Sequence, residues 1–247
     1  MRFAVLADIH GNALALEAVL ADMEQLGVTQ AVNLGDFFSG PLDAETTADL
    51  LAPQDWPSIL GNHDRYLIEE DPVDMGPSDK VAHGQLRDQD LAWLKTLPST
   101  QTVFGDVFLC HGTPSCDTTY WLQRVEPNGM VRNATLAEVE REAAGVDASL
   151  ILCGHTHIPG HVRLRDGRLI VNPGSLGCPA YDDDTPAPHH MQTGTPHASY
   201  AIVEGNKGDW RVTFHLVAYD WGQASAQAAQ NGRPEWARAL ATGWFEA

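Results

Sequence analysis

Short apolar runs that end beside Asp, His or Asn constrain this chain more than any other feature. The runs cover residues 3–7, 31–34, 58–60, 107–110 and 150–153, and a side chain with metal-binding or acid–base chemistry follows each run within two residues. Because the runs lack polar alternation, they predict strands buried on both faces. Helical patterns at residues 14–26 and 43–51 separate the first three runs, so we expect parallel strands with crossover helices. Sites in such sheets form at the carboxyl ends of the strands.

The second half of the chain carries patterns typical of hairpins and short helices. Turn residues separate the apolar pairs 102–104 and 107–110, 162–164 and 169–171, and 199–203 and 211–217, which predicts three antiparallel hairpins. We expect helices within residues 78–97, over 135–144, and over 221–245 with a break near Gly232 and Pro234. Residues 181–197 hold three consecutive Asp, three Pro and three His without periodicity, which predicts a surface loop.

The formal net charge of −18, from 33 acidic residues against 15 Lys and Arg, narrows the classes of partner. Duplex DNA repels such a chain, which argues against general nucleic-acid binding. Phosphate chemistry at a metal remains open, because divalent ions can reverse the local charge. The four Cys form no CxxC pair, and Cys110 and Cys153 end apolar runs, which favours reduced core thiols. The sequence shows no signal peptide or spanning segment, so we expect a cytoplasmic protein without a membrane partner.

The polar residues at the predicted strand ends are of the types that bind transition-metal ions. Asp8 and His10, like His155 and His157, are alternate residues that would point the same way if the backbone stayed extended. The full candidate set is Asp8, His10, Asp36, Asn62, His111, His155 and His157. Imidazole and carboxylate ligands suit Mn, Fe, Zn, Co or Ni, and two carboxylates leave a pair of divalent ions positive enough to attract a phosphate. Asp8 alone would be explained as a helix cap, but independent caps do not account for the whole set.

The ordered blocks Asp8-x-His10, Gly35-Asp36, Gly61-Asn62-His63-Asp64, His111 and Gly154-His155-x-His157 resemble the calcineurin-like metallophosphoesterase superfamily. The opening LADIHGN and the NPGS segment are similar to its small bacterial and archaeal phosphodiesterase-like branch, over roughly residues 1–220. The resemblance implies an α/β fold (α+β in some schemes). This is a calcineurin-like four-layer αββα sandwich of two mixed β-sheets flanked by helices, with the metal site at the carboxyl ends of the strands. We expect one domain over residues 1–247, with residues 221–247 as a C-terminal helical extension.

The resemblance also implies a role for each site residue. Asp8, His10 and His157 would hold the first of two divalent metal ions, Asn62, His111 and His155 would hold the second, and Asp36 would bridge them. We expect manganese, with iron, zinc, nickel and cobalt as alternatives. His63 would face the leaving-group oxygen or stabilise the transition state, and Asp64 would orient its ring. The implied reaction is in-line attack by a metal-bridging hydroxide without a covalent intermediate.

The segment after Asp36 departs from some members of the superfamily. Protein Ser/Thr phosphatases and the dinucleoside polyphosphate hydrolases that resemble them carry Gly-Asp-x-x-Asp-Arg-Gly, whereas residues 35–41 here are GDFFSGP. The missing Arg removes a phosphate-binding cation and weakens both assignments. Arg65, Tyr120 and Arg124 are candidate substrate-binding residues, with a surface ion pair as the alternative for Arg65.

The expected function is hydrolysis of small phosphodiesters or phosphomonoesters by a metal-dependent enzyme. The alternatives are a non-catalytic metal-binding scaffold that binds a partner, a metal-dependent hydrolase of a non-phosphate ester, and a nucleotide pyrophosphohydrolase or protein phosphatase. The expected ligand is a small phosphate ester. Trp236, Leu240, Trp244 and Phe245 form an apolar stripe that leaves a homo-oligomer open, although such stripes more often pack within one chain.

Overall fold

The computed structural model describes residues 1–245, and its first two strands alternate with helices as the apolar runs predict, before three further helices follow in succession. The strands are β1 (Arg2–Leu6), β2 (Ala31–Asn33), β3 (Thr100–Val103), β4 (Val107–Cys110), β5 (Gln123–Val125), β6 (Val131–Asn133), β7 (Leu150–Leu152), β8 (Gly160–Arg163), β9 (Leu169–Asn172), β10 (Ala180–Asp183), β11 (His189–Gln192), β12 (Ala198–Asn206) and β13 (Asp209–Val217). The helices are α1 (Ala13–Gln25), α2 (Ala44–Leu51), α3 (Asn62–Glu69), α4 (Pro77–Gln85), α5 (Asp88–Leu94), α6 (Leu136–Glu142), α7 (Trp221–Gln230) and α8 (Pro234–Thr242).

Two mixed β-sheets form the centre of the molecule. The first has the order β13-β12-β1-β2, in which β1 and β2 are parallel and the other pairs are antiparallel. The second has the order β3-β4-β7-β9-β8, in which β4, β7 and β9 are parallel and the edge strands are antiparallel. All three predicted hairpins are present, as β3–β4, β8–β9 and β12–β13. The candidate ligands other than Asn62 follow the carboxyl ends of β1, β2, β4 and β7, and Asn62 begins α3.

Successive residues of the strands face opposite sides and so divide the core into layers. Phe3 and Leu109 belong to the apolar layer between the two sheets. Leu6 faces the other way and packs in the cluster that contains the inner face of α1. On the far side of the second sheet, Ile151 packs with Val139 of α6. The succession of helix, sheet, sheet and helix confirms the four-layer sandwich.

The third strand predicted at residues 58–60 is wrong in its extent, because no regular strand forms there. Only one parallel bridge, between Ser58 and Asn33, is formed there. The chain then turns into α3, a helix that the sequence pattern did not predict. The Asp64 carboxylate accepts the Gly61 N–H at 2.9 Å and so satisfies a donor that the first turn of α3 leaves unpaired. The strand therefore stops because a helix begins at Asn62.

The predicted surface loop at residues 181–197 is also wrong. Strands β10 and β11 pair as an antiparallel hairpin within this segment. His189 and Met191 are buried on one face of β11, at 5% and 1% exposure, so the segment has a period of two. The buried imidazole interrupts the apolar pattern, which is why hydrophobicity alone does not predict the strand.

The C-terminal helices pack against the sandwich, with the predicted break between them. Trp236 and Leu240 of α8 pack in a cluster with Leu42. The Asn231 side chain donates to the Pro41 carbonyl at 2.7 Å, just after α7 ends. These contacts place the start of α8 beside the loop that follows β2.

The cysteines, the helix lengths and the domain extent concern the chain as a whole. Cys110 and Cys153 are free thiols buried in the core, as predicted. Within residues 1–245, no helix combines the length and apolar character needed to cross a membrane. The single domain over residues 1–247 stays a prediction, and residues 246–247 lie outside the described part of the chain.

Candidate metal centre

Left-handed backbone conformations direct the side chains of most predicted ligands towards one site. Five of them have positive φ: Asp8 (55°), His10 (52°), Asp36 (57°), His155 (67°) and His157 (60°). Each such conformation costs a residue with a Cβ roughly 1–3 kcal/mol and persists only where the surroundings enforce it. The backbone after β1 and β7 is therefore not extended, and the expected reason for the convergence is wrong. The convergence itself is present, because the chain turns at each of these residues.

The turns assemble two groups of ligand atoms. Asp8, His10 and His157 form the first group and Asp36, His111 and His155 the second, with one atom per residue lying within 4.8 Å of the others in its group. In the first group, His157 Nε2 lies 3.1 Å from His10 Nε2 and 3.6 Å from Asp8 Oδ1. In the second group, His111 Nε2 lies 3.2 Å from Asp36 Oδ2. Apart from Asn62, the two groups contain the residues that the resemblance implies as ligands of two ions.

Asp36 lies between the two groups. Its Oδ2 atom is 3.2 Å from His111 Nε2 and 3.9 Å from His10 Nε2, so one carboxylate oxygen is near a ligand of each group. Asn62 joins the second group, because its Oδ1 lies 3.1 Å from His111 Nε2. A Cβ at Gly61 would collide with the Asp36 carboxylate, which explains the glycine before Asn62. The seven predicted ligands thus share one site.

Backbone carbonyls fix the orientation of three of the imidazoles. His10 Nδ1 lies 2.6 Å from the Ser39 oxygen, and His111 Nδ1 lies 2.7 Å from the Leu34 oxygen. His157 Nδ1 lies 2.7 Å from the Cys178 oxygen in the same way. A carbonyl only accepts, so each Nδ1 must donate a proton. In the neutral ring this leaves the Nε2 lone pair free to bind a metal.

Electrostatics at the site favour positive charge beside the carboxylates. Burial lowers the pKa of His157, but the Asp8 carboxylate outweighs it and raises the pKa to about 10. Burial likewise lowers the pKa of His111, while Asp36 raises it to about 9. Burial and then the charge of His157 lower the pKa of His10 to about 4, so this imidazole is neutral near pH 7. The fully buried Asp8 Oδ2 has no hydrogen-bond partner within residues 1–245. This unpaired anionic oxygen and the convergent Nε2 atoms fit divalent cations.

A cavity of about 330 Å³ opens onto both groups. Its lining includes the metal-ligand candidates His10, Asp36, Asn62, His155 and His157. His63 also lines the cavity, with its ring centre 5.6 Å from that of His10. His63 Nδ1 lies 2.9 Å from Asp79 Oδ1 and 3.2 Å from Ser39 Oγ, and its Nε2 has no partner within residues 1–245.

Comparison with known proteins assigns the family. Residues 1–206 match the calcineurin-like phosphoesterase superfamily domain. The chain belongs to this superfamily. It is 25% identical over 255 residues to an uncharacterised protein of Methanocaldococcus jannaschii, MJ0912, with 94% of each chain covered.

Solved structures of similar proteins agree with this assignment. The crystal structure of a metallophosphoesterase from Sphaerobacter thermophilus is 28% identical, with a TM-score of 0.74 and 99% of each chain covered. The hypothetical protein PH1004 from Pyrococcus horikoshii has a TM-score of 0.76 over 98% of each chain at 19% identity, which shows a shared fold. Members of this superfamily typically bind divalent metals, and membership suggests a phosphoester hydrolase.

Asp64 does not orient His63, which corrects the predicted pairing. Its carboxylate accepts backbone N–H groups of Asp36 at 2.6 Å, Phe37 at 3.0 Å and Gly61 at 2.9 Å. Asp64 is fully buried, so it has no access to a ligand in the cavity. Burial, and then the neighbouring Asp36 charge, raise its pKa. Asp64 therefore holds the loop that carries Asp36, and Asp79 takes the predicted place beside His63.

The two arginines predicted to bind substrate are engaged elsewhere. Arg65 forms a two-pronged ion pair with Asp117, at 2.7 and 3.0 Å, which confirms the alternative that the sequence left open. Arg124 pairs with Glu142 at 3.6 Å and donates to the Trp121 carbonyl at 3.1 Å. Within residues 1–245, neither guanidinium belongs to the cavity lining. Acidic neighbours and carbonyls hold both guanidinium groups outside the cavity lining, and their contact with substrate stays a prediction.

Tyr120 packs against His155, one of the candidate metal ligands, and does not line the cavity. It is 8% exposed, and its ring centre lies 5.0 Å from that of His155. Its hydroxyl accepts a hydrogen bond from Tyr181 at 2.9 Å and lies 3.0 Å from His189 Nε2. The Tyr181 ring in turn lies 4.6 Å from that of His157. The β10–β11 hairpin thus packs directly against both groups.

Sequence reasoning missed most of the outer wall of the cavity. The lining residues that it did not assign to the site are Tyr66, Ser78, Cys178, Tyr181, Asp182, Asp183, Arg233 and Trp236. Local signals existed for two of them, since Pro234 marks the helix start after Arg233 and Trp236 belongs to the predicted apolar stripe. No pattern within the chain shows that this helix starts beside the site.

Proposed function

We propose that this chain is a phosphoester hydrolase that uses two divalent ions, manganese first among them, to cleave small phosphodiesters or phosphomonoesters. The observation that carries the proposal is the position of Asp36. Its Oδ2 atom lies 3.2 Å from His111 Nε2 and 3.9 Å from His10 Nε2, at the junction of two ligand groups. One carboxylate that serves both groups is suited to a two-ion centre better than to two separate sites.

The two groups of ligand atoms support an assignment of ligands to ions. Asp8, His10 and His157 would hold one ion, Asn62, His111 and His155 the other, and Asp36 both. When bound, the ions would withdraw charge from the phosphoryl oxygens and lower the pKa of a water so that a nucleophile exists near neutral pH. The cavity of about 330 Å³ lies at the lower end of the range for small-ligand sites, which favours a small ester.

His63 is the proton donor in this proposal. The Asp79 carboxylate and the Ser39 hydroxyl hold Nδ1, which leaves Nε2 for the leaving-group oxygen. Without metal ions, burial lowers the pKa of His63, and the Asp36 and Asp79 carboxylates raise it to about 9; when Asp36 binds the ions, Asp79 is the carboxylate that still favours the protonated ring. A protonated imidazole both stabilises developing negative charge and supplies the proton. Ser39 stands where some members of the superfamily have Asp, and Asp79 provides a carboxylate from another helix.

The test is hydrolysis by purified protein loaded with manganese, using bis-p-nitrophenyl phosphate, p-nitrophenyl phosphate and a panel of nucleotides. We expect turnover of at least one diester or monoester, and its loss in Asp36→Asn. A metal-loaded protein that cleaves none of these esters would contradict the proposal. Metal-dependent capture of a partner without turnover would then favour the scaffold alternative.

A further inference from the structure

The C-terminal helices supply one wall of the cavity beside the metal-ligand groups. Arg233 and Trp236 line it together with His10 and His63. The Trp236 ring centre lies 5.9 Å from that of His10, at an angle of 71°. The part of the chain beyond the family match at residues 1–206 therefore reaches the site itself.

Contacts on both sides of this wall determine its position. The Asn231 side chain donates to the Pro41 carbonyl at 2.7 Å, which ties the α7–α8 turn to the loop after β2. Gly194 N donates to the Gly243 oxygen at 2.9 Å, which ties the end of α8 to the segment after β11. Pro234 also restricts the backbone conformation of Arg233 within this turn. These contacts hold the C-terminal helices in place beside the site.

Arg233 has the properties of a phosphate-binding residue. It is the single Arg or Lys among the described residues that line the cavity, and its side chain is 20% exposed. Nε pairs with Glu235 and Nη1 donates to Ser78 Oγ at 2.8 Å. Nη2 has no partner within residues 1–245, so the guanidinium is oriented and still has donors to offer. The free Nη2 N–H groups suit phosphate oxygens, and the contacts of Nε and Nη1 hold the guanidinium in place.

Trp236 lines the cavity next to this cation. It is half-buried, and the Arg233 guanidinium lies 5.9 Å from its ring centre. Indole rings stack on planar aromatic groups, including nucleobases. The facing hairpin brings Asp182 and Asp183 to the same cavity, and these carboxylates disfavour additional phosphate groups. These lining residues together suit an ester with one phosphate and a neutral aromatic arm.

We propose that Arg233 and Trp236 form the substrate-recognition wall, with Arg233 binding the non-bridging phosphate oxygens and Trp236 packing against an aryl or nucleobase ring of the ester. This inference rests on the proposed phosphoesterase function and narrows it to single-phosphate esters that carry an aromatic arm. Arg233 thereby takes the part of the cation that is missing after Asp36, but it comes from the other end of the chain.

The test measures binding of phenylphosphonate and methylphosphonate to the manganese-loaded full chain by calorimetry. The two ligands share the phosphonate and differ in the ring. We expect the wild-type protein to bind phenylphosphonate about tenfold more tightly. Arg233→Gln should weaken both ligands about tenfold or more, and Trp236→Leu should remove the preference for the ring while Trp236→Phe keeps it. The preference is a ratio measured on one protein sample, so partial unfolding of a variant does not change it.

Matched controls come from the same helix and its end. Arg238 is exposed and donates to the Phe245 carbonyl, and Trp244 is 46% exposed. Arg238→Gln and Trp244→Leu should leave both affinities unchanged. Unaltered phosphonate binding in Arg233→Gln, or an intact ring preference in Trp236→Leu, would overturn the inference.

Parallel assays with bis-p-nitrophenyl phosphate separate the two proposals. Hydrolysis without these binding effects would refute the recognition wall alone. The binding effects without hydrolysis of any ester would refute the phosphoesterase proposal and retain the wall as an anion-binding and ring-binding site. A cyclic nucleotide added to the panel distinguishes a nucleobase arm from an aryl arm, by whether Trp236→Leu raises its KM.

Discussion

The Nδ1 atom of His63 lies 2.9 Å from Oδ1 of Asp79, a carboxylate that enters the site from α4. Asp79 is 4% exposed, so few water molecules compete for this contact. The contact fixes the ring and favours its protonated form. Two acidic residues that the sequence does not distinguish therefore have different roles. Asp64 accepts hydrogen bonds from the backbone, whereas Asp79 contacts the imidazole.

Replacing Asp79 by Asn should therefore impair turnover without affecting the metals. We expect kcat to fall about 10- to 100-fold, because groups that orient a functional side chain typically contribute this much. KM and the metal content, measured by mass spectrometry of the purified protein, should stay near the wild-type values. Loss of metal together with activity would show that Asp79 supports the fold of the centre instead.

The substitution Asp64→Ala should lower stability and metal affinity, in contrast to Asp79→Asn. It leaves the backbone N–H groups of Asp36, Phe37 and Gly61 without their acceptor. A buried unpaired donor costs about 1–3 kcal/mol, so the free energy of unfolding should decrease by at least that amount in urea denaturation. Metal affinity should fall as well, because the Asp36 loop loses its anchor. Unchanged stability would contradict the anchoring role.

Removal of His63 tests the proposed proton donor. In His63→Ala, kcat should fall by about 10²–10⁴-fold, the usual contribution of general acid catalysis. The protein should still bind its metals, since His63 belongs to neither ligand group. If both turnover and metal are lost, His63 is a ligand or a structural residue.

Chelation should destabilise the protein. Ions that bind only the folded state stabilise it by about 2.7 kcal/mol when their free concentration is a hundred times Kd. We therefore expect Tm to decrease after treatment with EDTA and to recover when manganese is added. In His10→Ala the recovery should be smaller, because the first group loses a ligand. Equal recovery in the variant would exclude His10 from the centre.

Much of the inner site could be predicted because it lies where buried strands end. Apolar runs locate these ends, and polar residues that follow four of the ends do converge, as Asp8, Asp36, His111 and His155 show. Their geometry could not be predicted, because the left-handed turns depend on contacts from other segments. Asp8 N, for example, donates to the Gly35 oxygen at 3.0 Å, across two loops.

The outer site could not be predicted because its residues come from elements whose docking has no local signature. Asp79 lies in the first turn of α4, where an acidic residue is ordinarily explained by the helix dipole. Arg233 precedes Pro234, which marks a helix start and does not specify what the helix packs against. Tyr181 lies in a segment whose Asp and Pro residues suggested a loop. In each case, tertiary packing decides which side chain meets the cavity.

The central claim is that Asp36 joins two metal ions in one centre. Anomalous X-ray diffraction from manganese-loaded crystals tests it most directly. We predict two peaks about 3.5–4 Å apart. One should lie among Asp8, His10 and His157, the other among Asn62, His111 and His155, with Asp36 in contact with both. A single peak, or two peaks of which only one touches Asp36, would contradict the account.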